Sequence, residues 1–379
     1  MRPRNLLVVS NGYGEDLEVT QVLRALPPDD LSITAYPLVG LGRAFPPDVA
    51  ILDPRGEFPS GGFGLRAGWT TLRADLSQGW LGFWRAQRKT LRSQRGRADL
   101  VVAAGDVYCL TMASLAGGPT VFLELPRSEY IAPHSPIERW LIRRHACQVF
   151  TRDEVTAAGL RRRGIRAQCL GFTGMDTLAP SGETFGLAAD RQVITLLPGS
   201  KPAAYDNVIL LLQAAALAAG QTAPVPAVLV AWPPNLPRAG LGDAVTAAGG
   251  VWLDPDRFRF EGIDVLVTAD RYADALHRAT VVLGMAGAAH EQAAGLGKPV
   301  VAFPGTGPQF TQRFLREQQR LLGDALVVAA TWQEAARAAA GLLGNPGERT
   351  RRGRIGMERQ GAPGAAAAIA QYLLQRLSA

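Results

Sequence analysis

Short runs of β-branched and other apolar residues alternate along the chain with longer stretches that have helical spacing. In the first half, these runs predict strands at 5–10, 31–36, 100–104, 120–123, 148–150 and 167–170. A helix is predicted at 17–26, after the first strand. A second series of strands is predicted at 192–197, 227–231, 250–253, 265–267, 280–283 and 299–303. This alternation is typical of α/β folds with mostly parallel sheets, so we expect two Rossmann-like, doubly wound domains.

The segment 179–186 separates the two series and is rich in Pro, Gly and polar residues. Such composition is common in linkers between domains. The chain has 379 residues, which is more than one hydrophobic core usually serves. We expect an N-terminal domain over 1–180, a C-terminal domain over 181–360, and a final helix over 361–379 that packs back on the body.

No apolar stretch approaches the length of about 20 residues that a membrane-spanning helix needs. The best candidate, 208–219, is interrupted by Gln213 and closed by Gly220. The first ten residues fit a strand better than a secretory signal, so we expect a cytoplasmic protein. Cys109, Cys147 and Cys169 have no CxxC or Cys/His spacing. The sequence therefore predicts no disulfide, no metal site and no cofactor.

The chain carries a formal net charge of +7 with a pI of about 9.7. This excess makes nucleotides, polyanions and anionic membranes plausible partners. Because Arg greatly outnumbers Lys, a bias that genome composition can produce, single arginines are weak evidence for a site. No nucleic-acid-binding module is recognisable, so we predict no nucleic-acid partner.

The first candidate motif follows the first predicted strand and opens a helix. Its glycines would let the backbone approach a ligand, and the helix start offers free N–H groups. The dinucleotide pattern GxGxxG fails, because Leu17 occupies the third glycine position. Its residues are candidates for acceptor binding (Asn11, Gly12, Tyr13, Gly14) and for acid-base chemistry (Glu15, Asp16). The alternative is a tight turn in which Asp16 caps the helix.

The second motif lies at the end of the first strand of the second series. Gly199 and Ser200 can donate backbone and hydroxyl hydrogen bonds to a phosphate, and Lys201 can neutralise it. The spacing is not that of a Walker A loop. A plain surface turn is the alternative interpretation.

The third motif, 283–301, reads as a buried strand, a loop of small residues, a helix, and a GKP turn before another strand. Small side chains would let a diphosphate approach the helix start, whose dipole stabilises negative charge. We expect Glu291 to hydrogen-bond ribose hydroxyls, and we expect the loop 304–310 to point to the same place. The candidate donor-binding residues here are Gly284, Ala286, Gly287, Ala288, His290, Glu291, Gln292 and Gln309.

The segment 284–299 resembles the nucleotide-sugar signature of GT-B glycosyltransferases, and the whole chain is similar to the lipid-A-disaccharide synthase family. That family's GEASGD-type turn is matched in position by 11–16, its LLPGSR loop by 196–201 with Lys201 in place of arginine, and its glutamate by Glu291. The resemblance implies a GT-B fold with two domains facing across a cleft. It also implies a UDP-sugar donor in the second domain and a lipid-like acceptor in the first.

A catalytic base is expected at the end of an apolar strand of the first domain. Asp106 follows the strand 100–104 and could take a proton from an acceptor hydroxyl, and the resemblance points to the same carboxylate. The alternative is that Asp106 caps the next helix. Glu15 and Asp16 are rival bases, and Glu124 is a weaker one. We also expect His134 to contact the acceptor.

Segment 63–97 places aromatic and apolar residues before a cluster of basic ones. Such a segment can lie in a bilayer interface and attract anionic lipid, so we predict peripheral contact with the inner face of the membrane. The alternative is an amphipathic helix packed on the sheet with a solvated basic end.

The sequence thus predicts an inverting glycosyltransferase that transfers a sugar from a UDP-sugar to a lipid-linked or sugar-lipid acceptor, without a bound metal. A UDP-N-acetylglucosamine 2-epimerase is the enzymatic alternative, because that family shares the fold and a similar glutamate-bearing helix. A non-catalytic protein that binds nucleotide-sugars is the alternative from another class.

Overall fold

The computed structural model of the chain describes residues 4–27, 31–57, 80–306 and 310–378. The chain divides into two compact units. Unit 1 comprises Met1–Thr177 together with Pro363–Ala379, and unit 2 comprises Leu178–Ala362. Among the described residues, no helix is long and apolar enough to cross a membrane.

Unit 1 contains a sheet of seven strands in the order β3-β2-β1-β4-β5-β6-β7, all of them parallel. Its strands are β1 Arg4–Ser10, β2 Leu31–Pro37, β3 Ala50–Ile51, β4 Leu100–Gly105, β5 Thr120–Glu124, β6 Gln148–Thr151 and β7 Ala167–Cys169. Its helices are α1 Gly14–Arg24, α2 Trp80–Ser93, α3 Val107–Ala113, α4 Pro136–His145, α5 Glu154–Arg161 and, from the C-terminal segment, the helix Ala365–Ser378. Short 3₁₀ helices cover Ser114–Ala116 and Thr173–Thr177.

Both faces of this sheet are covered, which explains why β1 reads as one continuous apolar run. Side chains on a strand alternate between faces. Leu6 and Val8 therefore pack into one core cluster with α1 and the C-terminal helix, whereas Leu7 and Val9 pack into the other with α2 to α5. The C-terminal helix is held at its start by Asp176, whose carboxylate accepts hydrogen bonds from two of its backbone N–H groups.

Unit 2 contains a sheet of eight strands in the order β10-β11-β12-β9-β8-β13-β14-β15. Its strands are β8 Val193–Leu197, β9 Ala227–Ala231, β10 Val251–Asp254, β11 Arg257–Phe260, β12 Ile263–Thr268, β13 Val281–Gly284, β14 Val300–Ala302 and β15 Leu326–Val328. Its helices are α6 Ala204–Gly220, α7 Arg238–Ala247, α8 Tyr272–Arg278, α9 Ala288–Gly295, α10 Gln312–Leu322, α11 Trp332–Gly344 and α12 Pro346–Gln360, with a 3₁₀ helix at Gly323–Ala325. The helix Ala365–Ser378 of unit 1 is therefore α13.

The predicted strands all exist, with ends that shift by one or two residues. Three strands were not predicted: the two-residue β3, the hairpin strand β11 and the edge strand β15. Strand β11 pairs antiparallel with β10 and β12. Helix α1 begins at Gly14, three residues before the predicted start, so the motif after β1 already belongs to its first turn.

Candidate functional site

The loops after β8 and β13 lie side by side in unit 2, at the point where the strand order reverses. Strand β8 pairs with β9 on one side and with β13 on the other, and ligands of open α/β sheets bind at such switch points. The Met285 N–H donates to the Leu197 carbonyl at 2.8 Å. Gly199 has a φ of +94°, and a Cβ there would lie 2.8 Å from the Met285 carbonyl oxygen. The two loops can therefore approach this closely only with glycine at 199.

A third loop, after β14, is tied to the first by Asn207 of α6. The Thr306 N–H and hydroxyl both donate to the Asn207 side-chain oxygen, at 2.9 and 3.1 Å. The Asn207 amide in turn donates to the Pro198 carbonyl at 3.4 Å. A Cβ on Gly305 would lie 2.6 Å from the Asn207 side-chain oxygen. Asn207 is buried, and its hydrogen bonds to Pro198 and Thr306 fix the distance between the loops after β8 and β14.

These loops surround a pocket of about 870 Å³. Its walls are mostly apolar, with a few polar groups, as in small-molecule sites. Of the candidate donor-binding residues, Gly284 does not line it, whereas six others do: Gly199, Ser200, Lys201, Ala286, Gly287 and Ala288. The lining comprises 197–204, 231–235 and 285–289, with Asn207, Tyr272, Thr306, Phe310 and Phe314.

Two helices begin at this pocket without side-chain caps. The N-cap residue of α6 is Ala203 and that of α9 is Gly287. Neither residue makes a side-chain capping hydrogen bond. The first backbone N–H groups of a helix have no partner within the helix, and the helix dipole adds positive potential there. At the start of α6, the Ala204 and Tyr205 N–H groups donate to the Lys201 and Pro202 carbonyls, so α6 contributes its dipole and the start of α9 contributes N–H donors. Together with the Lys201 ammonium, these groups make the pocket suited to an anion such as a diphosphate.

His290 lies beneath the loop after β13 and does not line the pocket. It is fully buried, and burial lowers its pKa to about 4. One ring nitrogen is 3.3 Å from the Ala286 N–H, and the other is 2.9 Å from the Gln318 side-chain oxygen. A Cβ on Gly284 would lie 2.2 Å from the ring. The prediction that His290 contacts the ligand is therefore wrong, because the loop covers the imidazole.

Gln292 is linked to the pocket wall through Tyr272. Ala288 and Ala289 line the pocket, and positions 291 and 292 follow one helical turn later in α9. The Tyr272 hydroxyl, on the pocket wall, donates to the Gln292 side-chain oxygen at 2.6 Å. Neither Glu291 nor Gln292 lines the pocket directly, and Gln309 lies outside the described residues.

In unit 1, the loop after β1 adjoins the end of β4. The Asn11 N–H donates to the Ala104 carbonyl at 3.1 Å. Gly12 has a φ of +105°, and a Cβ there would lie 2.2 Å from the Val39 carbonyl oxygen, so only glycine fits. Tyr13 is the N-cap of α1, with an exposed side chain and no capping bond, and Gly14 is its first helical residue. The four candidate acceptor-binding residues of this loop therefore lie together at the carboxyl edge of the sheet.

The three candidate catalytic carboxylates, Glu15, Asp16 and Asp106, cluster at this edge. Burial raises the pKa of Glu15 to about 7, and the charges of Glu18, Asp106 and Asp16 act in the same direction. Burial also raises the pKa of Asp16 to about 6. The N-cap of α1 is Tyr13, so the alternative that Asp16 is the cap is wrong. The Asp16 carboxylate accepts hydrogen bonds from the Ser10 hydroxyl and the Tyr13 backbone N–H. A carboxyl group with a pKa near neutrality can both take and give a proton at neutral pH.

Asp106 is the N-cap of α3, and its side chain accepts the Cys109 N–H at 3.0 Å. The capping alternative for this residue is thus confirmed. A capping carboxylate needs only one of its two oxygens as the acceptor, so capping and proton transfer are compatible. Among the described residues, no group of His, Cys, Asp and Glu is placed to hold a metal ion.

His134 is buried between two carboxylates. Its ring nitrogens lie 2.7 Å from Glu124 and 2.9 Å from Glu129. Burial alone would lower the pKa of His134, but the hydrogen bonds to these carboxylates raise it. Both ring nitrogens are therefore engaged within unit 1, and the prediction that His134 binds the acceptor is wrong. Sequence reasoning missed this buried cluster because no local pattern reveals burial of a loop residue.

Comparisons with known proteins bear on the fold. No protein-family model and no curated protein matches the chain. Among solved structures, S. aureus MnaA, solved with UDP, is 14% identical, covers 99% of this chain and 98% of its own, and has a TM-score of 0.61. The UDP-GlcNAc 2-epimerase from Neisseria meningitidis, bound to UDP-GlcNAc, is 15% identical. The match covers 98% of this chain and 100% of the epimerase, with a TM-score of 0.57.

A sucrose-phosphate synthase from Thermosynechococcus elongatus is 13% identical, with 100% of this chain and 99% of its own covered and a TM-score of 0.51. Matches of this length, together with two Rossmann-like units, confirm the predicted GT-B fold. Identities this low show the fold alone, so the chemistry must be argued from the site.

Proposed function

We propose that the protein is an enzyme that binds a UDP-sugar in the pocket of unit 2 and breaks the bond between the anomeric carbon and the diphosphate. The observation that carries this proposal is the convergence of two uncapped helix starts and Lys201 on one pocket. The solved relatives with UDP or UDP-GlcNAc bound support the choice of nucleotide.

When that bond breaks, its electron pair leaves with the diphosphate oxygen. Negative charge therefore grows on the leaving group as the reaction proceeds. Backbone N–H groups at the start of α9 and the Lys201 ammonium are fixed donors toward this charge, and the dipole of α6 adds positive potential. Such preorganised groups lower the barrier. Gly199, Ala286, Gly287 and Ala288 contribute by leaving room for the diphosphate next to the backbone.

The carboxylates of unit 1 are proposed to carry the proton transfers. Glu15, with a pKa near 7, can take and give a proton at neutral pH, and Asp106 and Asp16 belong to the same cluster. Inversion at C2 of the sugar requires a C2–H bond to break and re-form, whereas transfer requires an acceptor hydroxyl to lose its proton. Both reactions thus use an acid-base group of this kind.

Epimerisation at C2 is the first candidate for the complete reaction. Several of the solved relatives that match nearly end to end are UDP-GlcNAc 2-epimerases. This reaction needs no acceptor. A base would remove the C2 proton as the C1–O bond to the diphosphate breaks, which leaves a C1=C2 double bond in the released sugar. Protonation at C2 from the opposite face and attack of the diphosphate oxygen on C1 would then re-form the UDP-sugar.

Transfer to a lipid-linked acceptor, as in the lipid-A-disaccharide synthase family, is the second candidate, and helix α2 favours it. Trp80 and Trp84 stack 6.2 Å apart, and Arg88 lies over the Trp84 ring at 4.4 Å. Leu81 is 48% exposed, and α2 contains no acidic residue. Such a helix suits an anionic membrane surface. The part of the predicted membrane segment before Trp80 lies outside the described residues.

The experiment incubates the purified protein with UDP-GlcNAc in D₂O and follows the sugar by NMR. Epimerisation predicts deuterium at C2 and a second C2 epimer without any acceptor. Transfer predicts UDP release only when lipid extract is added. Binding without turnover in either condition would instead indicate a non-catalytic nucleotide-sugar-binding protein.

Variants of the anion site test the binding step. Lys201→Ala should weaken UDP binding about tenfold, as expected for loss of one charge-assisted contact. Lys89→Ala, which removes an exposed lysine of α2 in unit 1, is the matched control and should leave UDP affinity unchanged. Equal affinities of both variants and the parent would contradict the proposed site.

A further inference from the structure

The loop Met285–Gly287 forms part of the anion site but has no polar side chain of its own. Its orientation must therefore be set by groups packed against it. Two fully or nearly fully buried polar side chains lie beneath it, His290 in α9 and Gln318 in α10. They contact each other and the loop backbone, so they form one hydrogen-bonded network.

The direction of each hydrogen bond in this network follows from Gln318. Its side-chain N–H donates to the Gly287 carbonyl at 2.9 Å, which fixes the amide so that its oxygen faces the His290 Nδ1 at 2.9 Å. Because an oxygen can only accept, Nδ1 must carry the proton. The Nε2 atom of the neutral ring is then an acceptor, and the Ala286 N–H donates to it at 3.3 Å.

The network decides which backbone donors face the pocket. The Ala286 N–H points into the protein, toward the imidazole. The Gly287 carbonyl also points inward, because it accepts from both Gln318 and the His290 backbone N–H, the latter at 3.0 Å. In a trans peptide the N–H points opposite to the carbonyl. The Ala288 N–H therefore points away from the network, and Ala288 itself lines the pocket.

The imidazole must stay neutral for this arrangement to hold. A second proton on the ring would make Nε2 a donor, for which the Gly284 backbone is an acceptor, so Nε2 could no longer accept from the Ala286 N–H. Burial lowers the pKa of His290 to about 4. The edge of the ring is also packed against Phe310, with ring centroids 5.8 Å apart, which keeps water from the imidazole.

We propose that His290 and Gln318 are positioning residues that hold the loop backbone so that the Ala288 N–H is directed at the bound diphosphate. This inference rests on the proposed function of the pocket. It assigns to α10 a part in ligand binding, through Gln318, although Gln318 does not line the pocket.

Two substitutions of His290 separate the two hydrogen bonds. His290→Gln keeps an acceptor near the position of Nε2, and so keeps the bond from the Ala286 N–H. His290→Asn places its amide near the position of Nδ1 and loses that acceptor. We expect His290→Gln to bind UDP within about threefold of the parent, and His290→Asn to bind about tenfold or more weakly, the loss expected for one unsatisfied buried donor.

Gln318→Met tests the second member of the pair and has a matched control. Gln87 is also buried, and its amide donates to a backbone carbonyl, that of Leu38, at 2.8 Å in unit 1. The control Gln87→Met removes the bond to the Leu38 carbonyl, whereas Gln318→Met removes the bonds to both Gly287 and His290. Both variants should have a lower melting temperature, with at least as large a drop for Gln318→Met. Only Gln318→Met should raise the Kd for UDP, again about tenfold.

Calorimetric titration with UDP and ¹⁵N NMR of the histidine rings are the two readouts. The chain has only four histidines, so the ring signals can be assigned by single substitutions. The parent should show His290 as the neutral Nδ1–H form from pH 5.5 to 8. Protonation in that range, or equal UDP affinity of His290→Asn, His290→Gln and the parent, would overturn the positioning role. Failure of the parent itself to bind UDP would instead refute the proposed function.

Discussion

Substitution of Gly199 by alanine tests how closely the loops after β8 and β13 must approach each other. Gly199 has a φ of +94°, and an added Cβ would lie 2.8 Å from the Met285 carbonyl oxygen, closer than such atoms pack in proteins. Gly249 offers a matched control within unit 2. It has a φ of +88°, and a Cβ there would meet nothing within 4 Å.

The two substitutions share one energetic cost and differ in another. A left-handed backbone costs an L residue about 1–2 kcal/mol, partly offset because alanine also restricts the unfolded chain. Gly249→Ala should therefore destabilise unit 2 by about 1 kcal/mol. Gly199→Ala carries the same cost, and the overpacking against Met285 should add about 1–3 kcal/mol. The expected difference between the two variants is this second contribution alone.

Urea unfolding measures these costs, with tryptophan fluorescence as the signal, because the buried Trp232 lies in unit 2 at the pocket. Calorimetric titration measures UDP affinity in parallel. We expect Gly199→Ala to lose both stability and UDP binding, and Gly249→Ala to lose only some stability. Equal losses of stability would refute the inference that the Met285 carbonyl excludes every side chain at 199.

Three further results are expected. Because burial raises the folded-state pKa of Glu15 to about 7, above its value of about 4.3 in an unfolded chain, the folded state holds the extra proton. The free energy of unfolding should thus fall as pH rises from about 4.5 to 7, and Glu15→Gln should flatten that slope in pH-dependent urea unfolding. Asn207→Ala should weaken UDP binding in calorimetry, because it releases the loops after β8 and β14. Asp176→Ala should destabilise unit 1 by about 1 kcal/mol in chemical unfolding through loss of the cap on α13.

Much of the fold could be predicted from the sequence, because the buried strands carry uninterrupted apolar runs. Strand β1, for example, is covered on both faces and reads as Leu-Leu-Val-Val. Strand β11 was missed for a physical reason. Its sequence alternates Arg257, Phe258, Arg259 and Phe260, so its charged side chains face solvent and only every second residue is buried. The prediction followed continuous runs and passed over this alternation.

The candidate site was predictable where backbone geometry dictates residue size. Gly199 and Gly284 must be small because the neighbouring loop or ring leaves no room, and small residues at strand ends are visible in sequence. Asn207 and Tyr272 act through hydrogen bonds to segments remote in sequence. No local pattern marks such residues. The roles predicted for His290 and His134 failed because nothing in a sequence distinguishes a buried histidine from one that faces a ligand.

The C-terminal helix gives unit 1 an unusual order of assembly. Its residues Ile369 and Leu373 belong to the core on one face of the first sheet, yet they follow the whole of unit 2 along the chain. During synthesis, the part of that face that α13 covers stays exposed until 365–378 have been made, although α1 already packs on the same face. Unit 2 can finish folding earlier, so its pocket would form before the core of unit 1 is complete. Removal of α13 would consequently expose part of that core and leave the pocket of unit 2 intact.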